Sequence, residues 1–242
     1  AWSNLFAAGK RNALAASSAA QTAEVLLVLD LETTCDEHKS LNPQETIEIG
    51  VCAVELKHPK QSISSSSGGA SGGATAAAAS SGPALSLPRL LPFRFHSYVK
   101  PTAHPRLTDF CIELTNVGQA QVDAARPIAD VLASLERWLR ETGLDRRATL
   151  ALTWTTFDLG PALGRECVWR KVALPRQLRE FCDLKRVFGG SMKKLFGAGG
   201  SAPRLRQALE MAGLRWEGRE HSALDDAVNT ARLAMALVER GV

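Results

Sequence analysis

The sequence predicts an α/β fold in which a mixed sheet is flanked by helices. Residues 25–29 are five consecutive aliphatic residues bounded by polar sequence, which indicates a strand covered on both faces. Residues 46–56 are rich in β-branched side chains, and residues 93–100 alternate apolar and polar side chains, so both predict further strands. Apolar residues then recur at helical spacing from Pro127 until Gly143. Strands followed by an amphipathic helix are typical of a sheet covered by helices.

Two acids, Asp30 and Glu32, follow the opening apolar run with Leu31 between them. Because side chains alternate faces along a strand, both carboxylates are expected on one side and Leu31 on the other. Two ionised carboxylates that lose hydration repel each other, and a divalent cation between them offsets that cost. The alternative is a pair of acids in solvent where the strand ends. The Asp-x-Glu spacing alone does not decide between these interpretations.

The composition is that of an ordinary globular protein: 242 residues, 45% hydrophobic and 22% charged. No apolar run approaches the ~20 residues that a membrane-spanning helix needs, so we expect no membrane association. The five cysteines contain no Cys-x-x-Cys pair and are odd in number, which argues against a disulfide framework or a structural zinc site. A reducing compartment is therefore expected.

The net charge of +4 is concentrated in one segment. Residues 165–219 contain thirteen Lys or Arg and only five Asp or Glu. Such a basic segment beside an acidic strand suits a polyanionic partner, and a solvated helical face is the alternative.

Two stretches are expected to lie outside the folded domain, which we place at residues 24–242. Residues 1–23 are rich in Ala and Ser, contain Lys10 and Arg11, and have no acid, as in a mitochondrial targeting leader; a plain disordered leader is the alternative. Residues from about 57 to 92 are dominated by Ser, Gly, Ala and Pro, which indicates a flexible insert between two strands.

The second half of the chain is expected to add one strand and several helices. Residues 149–154 predict another buried strand. A short helix followed by a loop is expected over residues 105–121. Further helices are expected near residues 161–172, 176–188 and 203–212, with a Gly-rich loop over residues 189–200.

Further candidate site residues lie at the ends of these elements. Asp158 comes four residues after the strand that ends at residue 154. His221 stands four residues before Asp225, where Ser222 and Asp225 have the spacing of a helix capping box. The capping box explains Ser222 and Asp225 without any catalytic role, but it leaves His221 unexplained.

In their order along the chain, these acids and the histidine resemble the DEDDh 3′–5′ exonucleases of the ribonuclease H-like superfamily. The surrounding motifs are similar to the enhanced-RNAi and histone-mRNA exoribonuclease branch: Asp30-Leu-Glu-Thr-Thr-Cys35, Tyr98-Val-Lys-Pro101, Asp109-Phe-Cys-Ile-Glu-Leu-Thr115, Gln121-Val-Asp123 and His221-Ser-Ala-Leu-Asp-Asp226. The resemblance covers residues 25–238 and is interrupted by the insert. It implies a ribonuclease H-like mixed sheet, in which an antiparallel meander is joined by parallel strands.

The resemblance also implies a site. Asp30, Glu32, Asp158 and Asp225 would hold two Mg²⁺ ions, with Mn²⁺ as a possible substitute, because hard oxygen ligands favour these cations. Glu32 and His221 would take part in catalysis, with His221 deprotonating the attacking water.

The resemblance further implies a pocket for the 3′-terminal base, lined by Phe110, Leu114 and Phe157. Aromatic stacking accepts any base, at ~1–3 kcal/mol per base. Position 157 departs from the branch, which usually has Trp there, so weaker gripping is expected. Ordinary core packing of the two phenylalanines is the alternative.

Three functions follow from this sequence. The first is a metal-dependent 3′–5′ exoribonuclease, and its partner would be RNA. The second is a structural or assembly component of a large ribonucleoprotein, such as a mitochondrial ribosome, that uses the fold for docking. The third is a DNA exonuclease, because proofreading enzymes use the same acids. The leader favours a mitochondrial location, and a cytoplasmic location is the alternative.

Overall fold

The computed structural model describes residues 22–56, 87–196 and 203–242. In these ranges, five strands form one sheet: β1 (Val25–Thr33), β2 (Thr46–Glu55), β3 (Arg89–Tyr98), β4 (Thr149–Thr153) and β5 (Phe181–Asp183). The strand order is β3-β2-β1-β4-β5. β2 pairs antiparallel with β1 and β3, whereas β4 is parallel to β1 and β5 is parallel to β4. The predicted antiparallel meander with added parallel strands is confirmed.

Helices cover both faces of this sheet. They are α1 (Asp109–Thr115), α2 (Gln119–Ala124), α3 (Ile128–Glu141), α4 (Leu163–Arg170), α5 (Leu184–Phe196), α6 (Leu205–Met211) and α7 (Ala223–Glu239). α3 contributes its apolar face to a hydrophobic core on one side, and α6 and α7 contribute to a second core on the other side. The two cores explain why β1 is apolar on both faces.

The alternation along β1 assigns each side chain to one of these cores. Leu27, Leu29 and Leu31 belong to the core that α3 covers. Leu26 and Val28 belong to the core that α7 covers. With a period of two, Asp30 and Glu32 continue the α7 side, as the sequence predicts.

Three expectations about local structure need correction. Residues 105–121 contain α1 and the start of a second short helix, α2, where a loop was expected. The helix expected over residues 176–188 is wrong up to Asp183: a 3-10 turn is followed by β5, because Phe181–Asp183 pairs with the open edge of β4. Its last residues, from Leu184, do form the start of α5. The loop expected from residue 189 is also wrong up to Phe196, because α5 continues through Gly189 and Gly190.

The leader and the insert fall mostly outside the described residues. Residues 1–21 and 57–86 are among those not described. β3 begins at Arg89, so the last four residues of the predicted insert belong to a strand that pairs with β2.

None of the helices in the described ranges is both long and apolar enough to cross a membrane. All five cysteines are free thiols.

Candidate active site

The acids of β1 lie at the end of the sheet where the parallel strands β1 and β4 have their carboxyl ends. Asp30 is opposite Gly50 of β2, and Glu32 is opposite Glu48. α7 begins beside this point, since a Cβ added to Gly50 would lie 2.3 Å from the backbone carbon of Ala223. Only glycine permits such a close approach of helix to strand. The sheet register and this contact bring the first turn of α7 to the acids.

Three side chains converge at this edge. Ligand atoms of Glu32, His221 and Asp226 all lie within 4.8 Å of one another. The carboxylates of Asp158 and Glu48 also belong to this region, because their charges raise the pKa of Glu32. Asp30 belongs to it as well, because the charges of Glu32 and Asp226 raise its pKa. The structure therefore brings together a compact acidic cluster with His221 at its side.

Asp158 joins the cluster from the segment that follows β4. It begins a short π-helical turn, Asp158–Ala162, and its side chain is buried. Backbone hydrogen bonds at Asp158 and Leu31 favour its ionised form, but burial dominates and raises its pKa to about 7. The influence of the Leu31 backbone on this pKa shows that the Asp158 carboxylate lies close to β1.

Asp225 does not join the cluster, and its expected place is taken by Asp226. The Asp225 carboxylate accepts a hydrogen bond from the Arg219 backbone N–H at 2.8 Å, and it lies against Gly218. The capping box is also wrong: Ser222 occupies the N-cap position of α7, but its hydroxyl makes no capping hydrogen bond within the described residues. Adjacent residues of a helix point about 100° apart, so only one of these two acids can face β1.

Burial and mutual repulsion raise the pKa values of the clustered acids. Desolvation is the main cause for Glu32, whose pKa is raised to about 9, with Asp226 and Glu48 adding repulsion. Desolvation likewise raises the pKa of Asp226 to about 7 and that of Asp30 well above its usual range. The protein thus holds more negative charge here than it can stabilise by itself, which is the condition that a cation relieves.

His221 adopts an unusual backbone conformation. Its φ is 60°, in the left-handed region that non-glycine residues rarely occupy, and its side chain is exposed. Such strain is held in place by surrounding contacts and is frequent at functional sites. Here the His221 backbone donates a hydrogen bond that favours the ionised form of Asp226. This link ties the loop to the first turn of α7.

The residues fit a divalent metal site. All the acidic donors are oxygens, which Mg²⁺ and Mn²⁺ prefer. The Oδ1 atom of Asp226 is buried and has no hydrogen-bond partner among the described residues. A buried carboxylate oxygen without a partner is costly, and coordination of a cation would satisfy it.

The three residues expected to hold a base are all partly accessible. Phe110 and Leu114 lie four residues apart on α1 and share a face of that helix. α1 packs against the end of β1, where the Thr108 hydroxyl donates to the Cys35 carbonyl at 2.7 Å. Phe157 is 38% exposed and directly precedes Asp158. In the described residues, none of the three belongs to a hydrophobic core, so the core-packing alternative loses support.

The basic segment is partly used for internal structure. Arg170 bridges the buried carboxylates of Glu45 and Glu166. Arg206 pairs with Glu220 at 2.7 Å. These side chains are less available to a polyanion than the sequence count indicates.

Sequence reasoning missed two acids, Asp226 and Glu48, and each had a signal. Asp226 is three residues after Ala223 and four before Thr230, both buried, so it follows the inner face of α7. Glu48 interrupts an apolar strand, which is uncommon for a buried position unless the acid has a partner.

The comparisons with known proteins show the family of the chain. A family model described as an exonuclease (RNase_T) matches residues 92–234. Exoribonuclease 2 of the ERI1 type from Danio rerio is 33% identical over 93% of this chain and 38% of its own length. The 3′-5′ exonuclease Snipper from Drosophila melanogaster is 29% identical over 61% of this chain and 55% of its own length.

Solved structures share the fold. The cell-death related nuclease 4 (CRN-4) superimposes with a TM-score of 0.72 at 23% identity, covering 90% of this chain and 65% of that one. The nuclease domain of 3′hExo, described as a DEDDh family member bound to rAMP, gives a TM-score of 0.69 at 24% identity, covering 90% of this chain and 94% of that one.

The chain belongs to the exonuclease family, and within it to the DEDDh 3′–5′ exonucleases. This family depends on divalent metal ions. The resemblance stated from the sequence motifs is confirmed. The chain spans only 38% of the length of the Danio rerio relative, so the activity of a whole protein of that kind is not carried over by the match.

Proposed function

We propose that this protein is a metal-dependent 3′–5′ exoribonuclease. The observation that carries the proposal is the convergence of Glu32, His221 and Asp226 within 4.8 Å of one another. Two further acids, the half-buried Asp30 and the buried Asp158, act on the same cluster. A nuclease that hydrolyses phosphodiesters needs both a cation site and a proton acceptor, and this edge of the sheet offers both.

Four acids would hold the cations: Asp30, Glu32, Asp158 and Asp226. Asp226 replaces Asp225 in this set because one of its carboxylate oxygens lies within 4.8 Å of ligand atoms of Glu32 and His221, whereas the Asp225 carboxylate accepts from the Arg219 backbone N–H. Mg²⁺ is the cation proposed, in two sites, with Mn²⁺ as a substitute. When bound, a pair of such ions lowers the pKa of a water molecule and neutralises charge on the leaving oxygen.

His221 would accept the proton of the attacking water on an imidazole nitrogen. Its exposed position leaves the ring free to exchange that proton with solvent afterwards. The water oxygen forms a bond to phosphorus, and the bond from phosphorus to the 3′ oxygen of the preceding nucleotide breaks. The products are a nucleoside 5′-monophosphate and a chain that is one residue shorter.

Phe110, Leu114 and Phe157 would hold the terminal base beside the acids. Their partial exposure is what a stacking surface needs, and stacking tolerates any base. Phe157 directly precedes Asp158, so its ring is tied to the acidic cluster by one peptide bond. A base stacked there would direct its phosphate toward the acids.

RNA is the preferred substrate in this proposal. Relatives at about 30% identity are named exoribonucleases, among them the one from Danio rerio. One structural neighbour is described as recognising the 3′ end of a histone mRNA stem-loop.

The proposal is tested with the purified protein and single strands of RNA and DNA labelled at the 5′ end, in Mg²⁺ or EDTA. In Mg²⁺ we expect the RNA to be shortened from its 3′ end with release of mononucleotides. In EDTA we expect no cleavage. Asp226→Ala is the inactive control. Preference for DNA would replace the RNA assignment. A wild-type protein that cleaves neither strand but associates stably with a ribonucleoprotein would contradict the enzyme and support the docking function.

A mitochondrial location is a separate proposal, which rests only on the composition of residues 1–23. A fluorescent reporter fused after residue 23 should enter mitochondria, and a reporter that stays cytoplasmic would contradict it.

A further inference from the structure

Glu48 is a buried acid beside the cluster that the proposed chemistry does not use. It lies on β2 opposite Glu32 and is only 3% exposed. Its charge raises the pKa values of Asp30, Glu32 and Asp226, so it is close to all three. A fifth carboxylate at a site that already carries four is electrostatically unfavourable unless it has another role.

Both oxygens of Glu48 have partners within the protein. Oε1 lies 2.6 Å from Nε2 of His96 on β3, and Oε2 accepts the Ala223 backbone N–H at 3.3 Å. By contrast, Oδ1 of Asp226 is buried and has no partner among the described residues. This difference separates an acid prepared for a cation from an acid already engaged in holding the structure.

The contact with Ala223 occurs where α7 lacks a cap. The first amides of a helix have no partner inside the helix, and a Ser at the N-cap usually accepts from one of them. Ser222 makes no such hydrogen bond in the described part of the chain. Glu48 therefore supplies, from β2, an anionic acceptor at the positive end of α7.

We propose that Glu48, held by His96, is a positioning residue that fixes the first turn of α7 and thereby places His221 and Asp226 against the acids of β1. The expected effect of Glu48 on RNA cleavage rests on the proposed nuclease function. Its expected effect on the backbone of the first turn of α7 does not. Ala223 lies two residues after His221 and three before Asp226. Loosening this anchor shifts both residues at once.

Two substitutions separate the reach of the side chain from its charge. Glu48→Gln removes the charge but keeps the length: its amide oxygen can accept the Ala223 N–H, and its NH2 group can donate to Nε2 of a neutral His96 ring. Glu48→Asp keeps the charge but is shorter by one methylene, so it cannot reach Ala223 and His96 together. A positioning role predicts that Glu48→Gln retains function and Glu48→Asp loses it, whereas a role through charge predicts the reverse.

The first readout is amide hydrogen exchange at Ala223, measured by NMR on the full chain. We expect about fivefold faster exchange in Glu48→Asp than in wild type, because one hydrogen bond is worth ~1 kcal/mol, and near-normal exchange in Glu48→Gln. The second is Mn²⁺ binding by calorimetry, where Glu48→Asp should bind about tenfold more weakly or worse, as is found for residues that orient metal ligands. The third is RNA cleavage at saturating Mg²⁺, where kcat should fall in Glu48→Asp with little change in KM.

A matched control is available in Glu166→Asp. Glu166 is also buried, its Oε2 accepts the Thr46 backbone N–H at 2.8 Å, and its Oε1 pairs with Arg170. It is not among the groups that raise the pKa values of the clustered acids. Its shortening should lower Tm without changing Mn²⁺ affinity or kcat.

The outcomes are distinguishable. Unchanged Ala223 exchange and Mn²⁺ affinity in Glu48→Asp would overturn the positioning role, as would equal impairment in Glu48→Gln. If wild type binds Mn²⁺ but cleaves no RNA, the proposed function fails, while the exchange and binding measurements still decide the role of Glu48.

Discussion

Substitution of Gly50 by alanine should separate α7 from the sheet and disable the site. The added Cβ would lie 2.3 Å from the Ala223 carbon and the Leu224 nitrogen, both backbone atoms that cannot rotate away. Ordinary contact begins at 3.4 Å, so the first turn of α7 must retreat by about 1 Å. Overpacking of this kind costs ~1–3 kcal/mol, which in a chain of this size lowers Tm by roughly 3–10 °C.

The effect on cleavage should be larger than the effect on stability. A misplacement of ~1 Å in a catalytic constellation costs on the order of 10²-fold in rate, and the shift moves His221 and Asp226 away from Glu32. The assay compares kcat on single-stranded RNA with Tm at the same Mg²⁺ concentration. Gly190→Ala is the control, because its Cβ, in the middle of α5, would meet no atom of the described residues within 4 Å, and the variant should gain ~0.5–1 kcal/mol of stability. A Gly50→Ala variant with wild-type kcat would refute the coupling between this contact and the site.

Three further outcomes are expected. Asp226→Asn should lower the rate of Mg²⁺-dependent cleavage by at least ~100-fold, whereas Asp225→Asn should lower it by no more than roughly tenfold. The reverse order in a cleavage assay would restore Asp225 as the metal ligand. His221→Ala should lower kcat by ~10²–10⁴-fold while Mn²⁺ binding by calorimetry stays near normal, and a normal rate would exclude it as the base. The pKa of Glu32 is raised from 4.5 to about 9 in the folded state, so protonation of Glu32 stabilises the metal-free fold. Tm in EDTA should therefore fall as the pH rises between those two values, and Mg²⁺ should restore it. A Tm in EDTA that rises over this pH range would contradict the raised pKa.

The sequence was sufficient for those parts of the fold in which local pattern and burial agree. The apolar run of β1 and the alternation that follows it assign Asp30 and Glu32 to one side of the sheet, as found. The helix that starts after Pro127 is observed as α3, because its periodic apolar residues fill a core. These elements required no knowledge of distant contacts.

The failures occur where a distant partner decides. β5 is a strand because β4 offers an open edge, which nothing in residues 181–183 reveals. The choice between Asp225 and Asp226 depends on the rotation of α7 about its axis, which is fixed by its packing on Gly50 and by the hydrogen bond from Arg219 to Asp225. A one-residue difference in a helix rotates a side chain by about 100°, so spacing from His221 alone could not resolve it.

The pairing of β2 with β3 separates two kinds of change that the chain can undergo. β2 starts beside the acids at Thr46 and ends at Glu55, which pairs with Arg89 at the first residue of β3 and also forms an ion pair with it at 2.9 Å. The connection between β2 and β3 therefore leaves the sheet and returns to it at the opposite end of the strands from the acids. Lengthening a loop between fixed strand ends costs only ~0.6 kcal/mol for each doubling of its length. A change in the length of this connection is therefore expected to leave the positions of the catalytic atoms unchanged.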